Sequence, residues 1–427
     1  MLPQLQSLAG LVAIPLIAWA ISERRSLLAA PAVARLVLAA LAMQVAIAGV
    51  MLNVPPLRAA FDWPARGVDA LQEATLDGVR LVFGYLAGGP APFDVTHPQH
   101  GFVLALQALP LVLLVSVLSK LLYHWGVLQM VVRAFARALE RTLGVPGPVG
   151  TAAAANIFVG MVEAPLFVKP YLQTMSRSGL FATMTVGMAG IAGTVLAIYA
   201  SLLKSGVPGA AGHLIVASVI SVPAALMLSA LMVPDDARAR PEPDPPDTRM
   251  ALENAPRSSM DAIAQGTREG VHLLANVTAM LIVAVALVSL VNMMLGALFQ
   301  PFGIVLKLER ILGWLFAPLA FLTGIPASEA GIAGALLGTK TVLNEFVAYL
   351  KLSALPPDAL SPRSRLIMTY ALCGFANIGS LGIMIGGLVA MAPGRRAEIL
   401  ELGPRTILSG TLATLMTAAV IGLMSGQ

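Results

Sequence analysis

Apart from the Gly- and Pro-broken run 142–162, eight stretches of this chain run for 19 residues or more without a single Asp, Glu, Lys or Arg: 1–21, 36–55, 101–119, 178–203, 212–233, 270–306, 366–393 and 406–427. Each is long enough for the ~20 residues that a bilayer crossing needs. A backbone in lipid must satisfy its N–H and C=O groups internally, so these stretches are expected to be helices. Composition agrees: 57% of the 427 residues are hydrophobic and 11% charged, and the mean hydropathy is +0.83. A soluble domain carries about 25% charged residues. The net charge of +5 comes from arginines scattered at segment ends, with no basic block, so nucleic acid is not an expected partner. The first stretch has no basic residue ahead of its apolar run and is followed by Glu23, Arg24 and Arg25, so it reads as a span rather than a cleaved signal. A lone cysteine, Cys373, excludes an internal disulfide.

Basic residues orient the bundle. Arg24 and Arg25, then Lys120, Arg133, Arg137 and Arg141, then Arg238, Arg240, Arg249 and Arg257, then Arg395 and Arg396 all fall on one side, the inside. Arg363 and Arg365 fall on the other side. Pro234 to Glu269, with its run PEPDPPD, reads as a solvated linker. In residues 65–86, Asp69, Glu73, Asp77 and Arg80 share one helical stripe, and Val68, Leu71, Val79, Val82 and Leu86 lie mostly opposite. This is an amphipathic helix, expected at the membrane surface or against a neighbouring subunit.

Two further apolar stretches, Gly144–Pro170 and Gly324–Leu350, are too broken for plain crossings. They are similar to each other: GVPG, NIFV, MSRS and a small-residue helix with GIAG in the first; GIPA, NEFV, LSPRS and a helix with NIGS in the second. Three spans lie between them, so the copies are opposite in orientation. Inverted repeats with discontinuous helices are the signature of a secondary transporter whose site lies at mid-membrane, between the repeats. Each hairpin carries one acid, Glu163 or Glu345, near one amide, Asn156 or Asn344. An ionised side chain at the centre of a span costs roughly 2.5–3.5 kcal/mol, so the acids are expected to face a wet, protein-lined pocket. Gly160 and Pro165 break the first hairpin, and the seventh span is expected to unwind between Gly374 and Gly382, presenting Phe375, Asn377 and Ser380. The five histidines are dispersed, and His97 with His100 is a poor metal site. No phosphate-binding loop or hydrolase motif is present. A membrane enzyme acting on a lipid-linked substrate is the distant alternative; it would place its acids or histidines in polar loops at the membrane edge.

From about Leu106 to the C-terminus the chain resembles the concentrative nucleoside transporters. The resemblance rests on LLYHWGVLQ (121–129), NIFVGMVEAPLFVKPYL (156–172), GIAGTVLAIYAS (190–201), GTKTVLNEFVAYL (338–350), LSPRSRL (360–366) and ALCGFANIGSLGI (371–383). It implies an all-α polytopic fold of eight transmembrane helices and two re-entrant helical hairpins in an inverted repeat, with an amphipathic interfacial helix. It also implies a homotrimer in the cell inner membrane, working as an elevator in which the third and sixth spans are scaffold. The chain then divides into residues 1–99 (two spans and the interfacial helix), 100–143 (third span and basic segment) and 144–233 (first hairpin, fourth and fifth spans). Residues 234–310 hold the linker and sixth span, and 311–427 the second hairpin with the last two spans. The expected activity is nucleoside import in symport with a proton or sodium ion, with no other cofactor.

By motif position, Glu345, Asn377 and Ser380 resemble the ribose ligands and Phe375 the aromatic wall. The same resemblance implies that Gly160, Met161, Val162 and Glu163 would face the base, with Val195 packing against it. Asn156, Val159, Gly190 and Ile191 resemble the cation ligands. Two positions depart from the family pattern. Met161 and Val162 stand where many members have an amide and a hydroxyl, so the solute is expected to be purine-like, modified or another nucleoside-like molecule. Gly190 stands where sodium-coupled members have Ser, which favours a proton.

Overall fold

The computed structural model describes residues 2–26, 31–53, 55–96, 101–204, 206–235, 256–303 and 306–425. The linker motif at 241–247, Arg238, Arg240 and Arg249, and His97 and His100 lie outside them. All regular elements among the described residues are helical. The first group is α1 (Leu2–Ala20), α2 (Pro31–Asn53), α3 (Pro55–Phe83), α4 (Leu104–Gln107), α5 (Leu111–His124) and α6 (Val127–Leu143). The first repeat follows with α7 (Gly147–Asn156), a 3₁₀ segment (Ala164–Tyr171), α8 (Arg177–Ala189), α9 (Gly193–Leu203) and α10 (Ala210–Met232). Then come α11 (Ser259–Phe299), α12 (Leu308–Leu322), α13 (Ala327–Val342), α14 (Glu345–Ala354), α15 (Pro362–Ala371), α16 (Ile378–Met391) and α17 (Arg396–Met424). Every predicted charge-free stretch is occupied by one helix or by a broken pair. By length and apolarity alone six helices qualify as crossings, and α12 with α13 forms a seventh candidate bent by 116°.

Local chemistry sets the matching starts of the two repeats. Gly144 and Gly324 adopt positive φ (+65° and +97°), a conformation glycine takes without penalty. Two residues later Pro146 and Pro326 (ψ 146° and 149°) open α7 and α13. Ser176 and Ser361 then cap α8 and α15, their hydroxyls accepting from the Gly179 and Ser364 N–H groups. Both half-spans break, and each second half starts from a residue 16 positions after its cap: Ala192 before α9 and Asn377 before α16. This register pairs Gly190 with Phe375, two residues away from a match of GIAG to NIGS.

Three expectations are corrected. The seventh span unwinds over residues 372–377, not 374–382, because the Asn377 side chain accepts from Ser380 N at 2.7 Å and restarts the helix there. The linker ends earlier than Glu269: Ser258 caps α11, whose helix begins at Ser259. The boundary at 310/311 falls inside α12, one of two bracing helices, α6 and α12, that precede the hairpins and are not evident from the charge pattern.

The layers follow from burial. About 83% of the α10 span is buried against 6% of the α11 span, so α10 sits in the core with α8 and α17 while α11 lies on the outside. It packs on α5 through Gly266 and Gly270, where a Cβ would meet Val117 Cα at 2.6 Å and Leu113 Cα at 3.0 Å. Small residues four apart permit this close helix approach. The interfacial helix is longer than its charged stripe and is tied to α9 by Lys204–Asp69 (2.8 Å) and by Ser201 to Gln72 (3.0 Å). Arg363 and Arg365, which break the charge asymmetry, serve as carbonyl caps: Arg363 donates to Gly324 and Gly422, and Arg365 to Leu352, Leu355, Leu360 and Pro356.

Candidate functional site

Four breaks in helical structure meet in the middle of the protein. The first hairpin has no donor left for the Phe158 carbonyl within its own turn, and Gly193 N of the broken fourth span supplies one at 3.1 Å. A side chain at Gly193 is impossible without movement, because its Cβ would lie 2.7 Å from that same oxygen. The fourth span in turn offers Gly190 O to Phe375 N of the broken seventh span (3.2 Å), joining the two residues that the repeat register makes equivalent. The seventh span closes the chain through Asn377, whose Nδ2 donates to Glu345 Oε2 at the start of α14 (3.0 Å). A helix broken in lipid must find partners for the groups it frees, and here each break supplies the next.

These elements enclose a cavity of about 290 Å³, at the lower end of the ~300–1,000 Å³ of small-molecule sites. All nine residues expected on the solute side line it: Gly160, Met161, Val162, Glu163, Val195, Glu345, Phe375, Asn377 and Ser380. The two acids thus face one space. Glu345 is 5% exposed and receives Tyr199 Oη–H at 2.7 Å on its other oxygen. Asn377 uses both ends of its amide, one to Glu345 and one to cap α16. Asn344 is likewise a cap, accepting from Val347 N at 2.9 Å. Glu163 turns over its own hairpin tip, where Gly160 has φ +102° and its Cβ would meet Glu163 Oε2 at 3.2 Å.

Of the residues expected at the cation, Val159 lines the cavity, while Asn156 and Ile191 are buried beside it. Asn156 Nδ2 donates to Val186 O at 2.9 Å, and its Oδ1 is buried with no hydrogen-bond partner among the described residues. A Cβ on Gly190 would stand 2.8 Å from Asn156 Nδ2, so the amide occupies the room a serine would need.

Two contributors were not identified from sequence. Tyr199, the phenol that holds Glu345, stands one turn after Val195 and so on its face; that spacing was the available signal. Asn276 of α11 lines the cavity with Leu273, Val277 and Met280, and an amide in an apolar run was the clue there.

Comparison with known proteins agrees with this architecture. Family models described as the Na+ dependent nucleoside transporter N-terminus, nucleoside recognition (gate) and the Na+ dependent nucleoside transporter C-terminus match residues 9–86, 105–206 and 213–422, so the likeness extends well before Leu106. The chain is 38% identical to the nucleoside permease NupC of Helicobacter pylori over 98% of its own length and 97% of the permease. It is 40% identical to an uncharacterized transporter of Haemophilus influenzae over 99% and 98% of the two chains. CNTnw in an inward-facing substrate-bound state superposes with a TM-score of 0.87 at 38% identity, covering 98% of this chain and 97% of that one. A double variant of CNTnw in an outward-facing state gives 0.88 at 38% identity, with 99% and 98% covered. The enzyme alternative falls with these likenesses: this chain belongs to the concentrative nucleoside transporter family and is a multi-pass transporter of the inner membrane.

Proposed function

We propose that the cavity binds a nucleoside, and that the protein imports it in symport with a cation by moving the two hairpins and broken spans as one body past α5 and α11, across eight crossings, as a homotrimer. The observation that carries this reading is Glu345. A carboxylate accepts about four hydrogen bonds, and Tyr199 and Asn377 use two. The remaining capacity suits the vicinal hydroxyls of a ribose, with Ser380 beside them and Phe375 as the aromatic wall for a planar base. Gly160, Met161, Val162, Glu163 and Val195 form the base side. The Na+ dependent family models support a coupling cation, for which Asn156 Oδ1 with the backbone of Val159, Gly190 and Ile191 forms the candidate site. Gly190 removes a hydroxyl ligand, and hard cations need oxygen donors, so proton coupling is the preferred form. Two features connect the site to movement. Among the described residues the breaks are hydrogen-bonded to one another, while α11 lines the cavity with Leu273, Asn276, Val277 and Met280.

The test is uptake into proteoliposomes with a panel of nucleosides under separate proton and sodium gradients. Saturable uptake driven by either gradient is expected, with the proton gradient the stronger. Uptake that merely equilibrates under both gradients would overturn symport, and no uptake of any nucleoside would overturn the substrate class.

A further inference from the structure

Lys340 is a fully buried lysine on the first leg of the second hairpin, within an apolar bundle. Nothing in the solute or cation sites described above uses it. Ionisable side chains in such places are costly and are kept for a purpose. Its Nζ donates to Ala371 O and to Thr414 Oγ1, both at 2.8 Å. Thr414 passes its own proton to Thr411 O at 3.0 Å, so it accepts from the lysine.

Ala371 is the last residue of α15. In an unbroken helix its carbonyl would accept from the N–H four residues on, that of Phe375. That N–H has instead turned to Gly190 O in the other repeat. Lys340 thus supplies the proton donor that the break removes.

The inverted repeat gives this contact a counterpart. Ala371 lies ten residues after its cap Ser361, and Val186 lies ten residues after its cap Ser176. Val186 O also receives a side-chain donor from the first leg of its hairpin, the amide of Asn156. Carbonyls at matching positions in the last turns of the two half-helices are therefore each met from a hairpin, although Val186 O also keeps its helical donor Gly190 N (3.2 Å) and Ala371 O has lost its own. In the first repeat the visitor is a neutral amide with a spare oxygen, and in the second it is an ammonium. Half-helix C-termini carry partial negative charge, and they are where transporters of this architecture coordinate cations.

We propose that Lys340 is a tethered cation, a positioning residue that holds the second repeat in its substrate-ready form as an exchangeable cation holds the first. It keeps the seventh span broken, so that Phe375 and Asn377 face the cavity. The comparison with the first repeat rests on the reading of Asn156 as a cation ligand.

The experiment is calorimetric titration of the purified full-length protein with uridine and adenosine, with Lys340→Met and Lys340→Ala as variants and methylammonium as added cation. Met fills the space without charge, and Ala leaves room for a free cation. K340M is expected to bind at least tenfold more weakly than wild type. K340A is expected to be as weak but to recover at least threefold with tens of millimolar methylammonium, which leaves wild type and K340M unchanged. A lysine that only fills space predicts near-wild-type K340M and no response of K340A, and either result overturns the proposal. If K340M does not purify folded, K340A prepared with methylammonium throughout decides: recovery of binding supports the tethered cation and none refutes it. A wild-type protein that binds neither of these, nor any other nucleoside of the uptake panel, would sink the functional reading instead. Lys340 would then be judged on the melting temperature of K340A, which methylammonium must raise.

Discussion

Replacing Glu345 by Gln changes two oxygen atoms into one oxygen and one amide in a site whose internal partners are known. Tyr199 reaches one carboxylate oxygen at 2.7 Å and Asn377 Nδ2 the other at 3.0 Å. The amide can keep both contacts: its oxygen faces Asn377, and its nitrogen faces Tyr199, whose hydroxyl rotates to accept. Asn377 cannot adapt by flipping, because its Oδ1 caps Ser380 N at 2.7 Å. The variant therefore folds, and it also sheds the roughly 2.5–3.5 kcal/mol cost of an ionised group at mid-membrane. What it loses is the free lone pair of the second oxygen, to which a solute hydroxyl would donate. A hydrogen bond to a charged group contributes about 1.5–3 kcal/mol, so affinity should fall about 10- to 150-fold. Calorimetric titration with uridine and adenosine reads this directly, and melting of the ligand-free protein gives the opposite sign: unchanged or raised. Binding within threefold of wild type would show that Glu345 is only a helix-bridging acid and would remove the sugar site.

Gly374→Ala should destabilise the protein by about 1–3 kcal/mol, as overpacking does, because the new Cβ would lie 2.7 Å from Thr414 Cγ2, 2.9 Å from Ala189 O and 3.0 Å from Met188 O where the two breaks cross. Thermal unfolding measures it, and an unchanged midpoint would mean the crossing is loosely packed. Met161→Gln with Val162→Thr restores polar groups to the base side of the cavity; it should shift uptake toward nucleosides whose base edge can pair with them, by roughly fivefold for a net hydrogen bond of about 1 kcal/mol, and an unchanged ratio of uridine to adenosine uptake would place the base elsewhere. Glu23, between α1 and α2, is held below the usual carboxylate range by its hydrogen bond to Arg177 and by the nearby Arg405 charge, against the opposing effect of burial. A depressed folded value means the stabilisation is complete above the unfolded pKa of about 4.3 and is lost as pH falls through the folded one. The melting temperature of wild type should therefore exceed that of Glu23→Gln at neutral pH and converge on it in acid; a constant difference would assign the effect to packing.

The sequence alone marked the long charge-free helices and the two broken stretches whose acids share one cavity. A long run without charges favours helix in lipid, with any groups freed at a break paired inside the protein, and a lone acid in such a run needs a polar cavity. The paired Gly-x-Pro and Ser caps marked both repeats because left-handed turns and helix N-caps are local requirements that few residues meet. Tertiary structure decided what each break is bonded to. The Phe375 N–H pairs with a carbonyl 185 residues earlier, Tyr199 holds an acid 146 residues later, and Lys340 replaces the missing helical donor at Ala371. It also moved the seventh-span break to residues 372–377 and placed Asn276 of α11 opposite the hairpins. The physical reason is range: helix formation and capping are settled within a few residues, whereas the partner of a freed N–H or C=O depends on which distant segment packing brings within 3 Å or so.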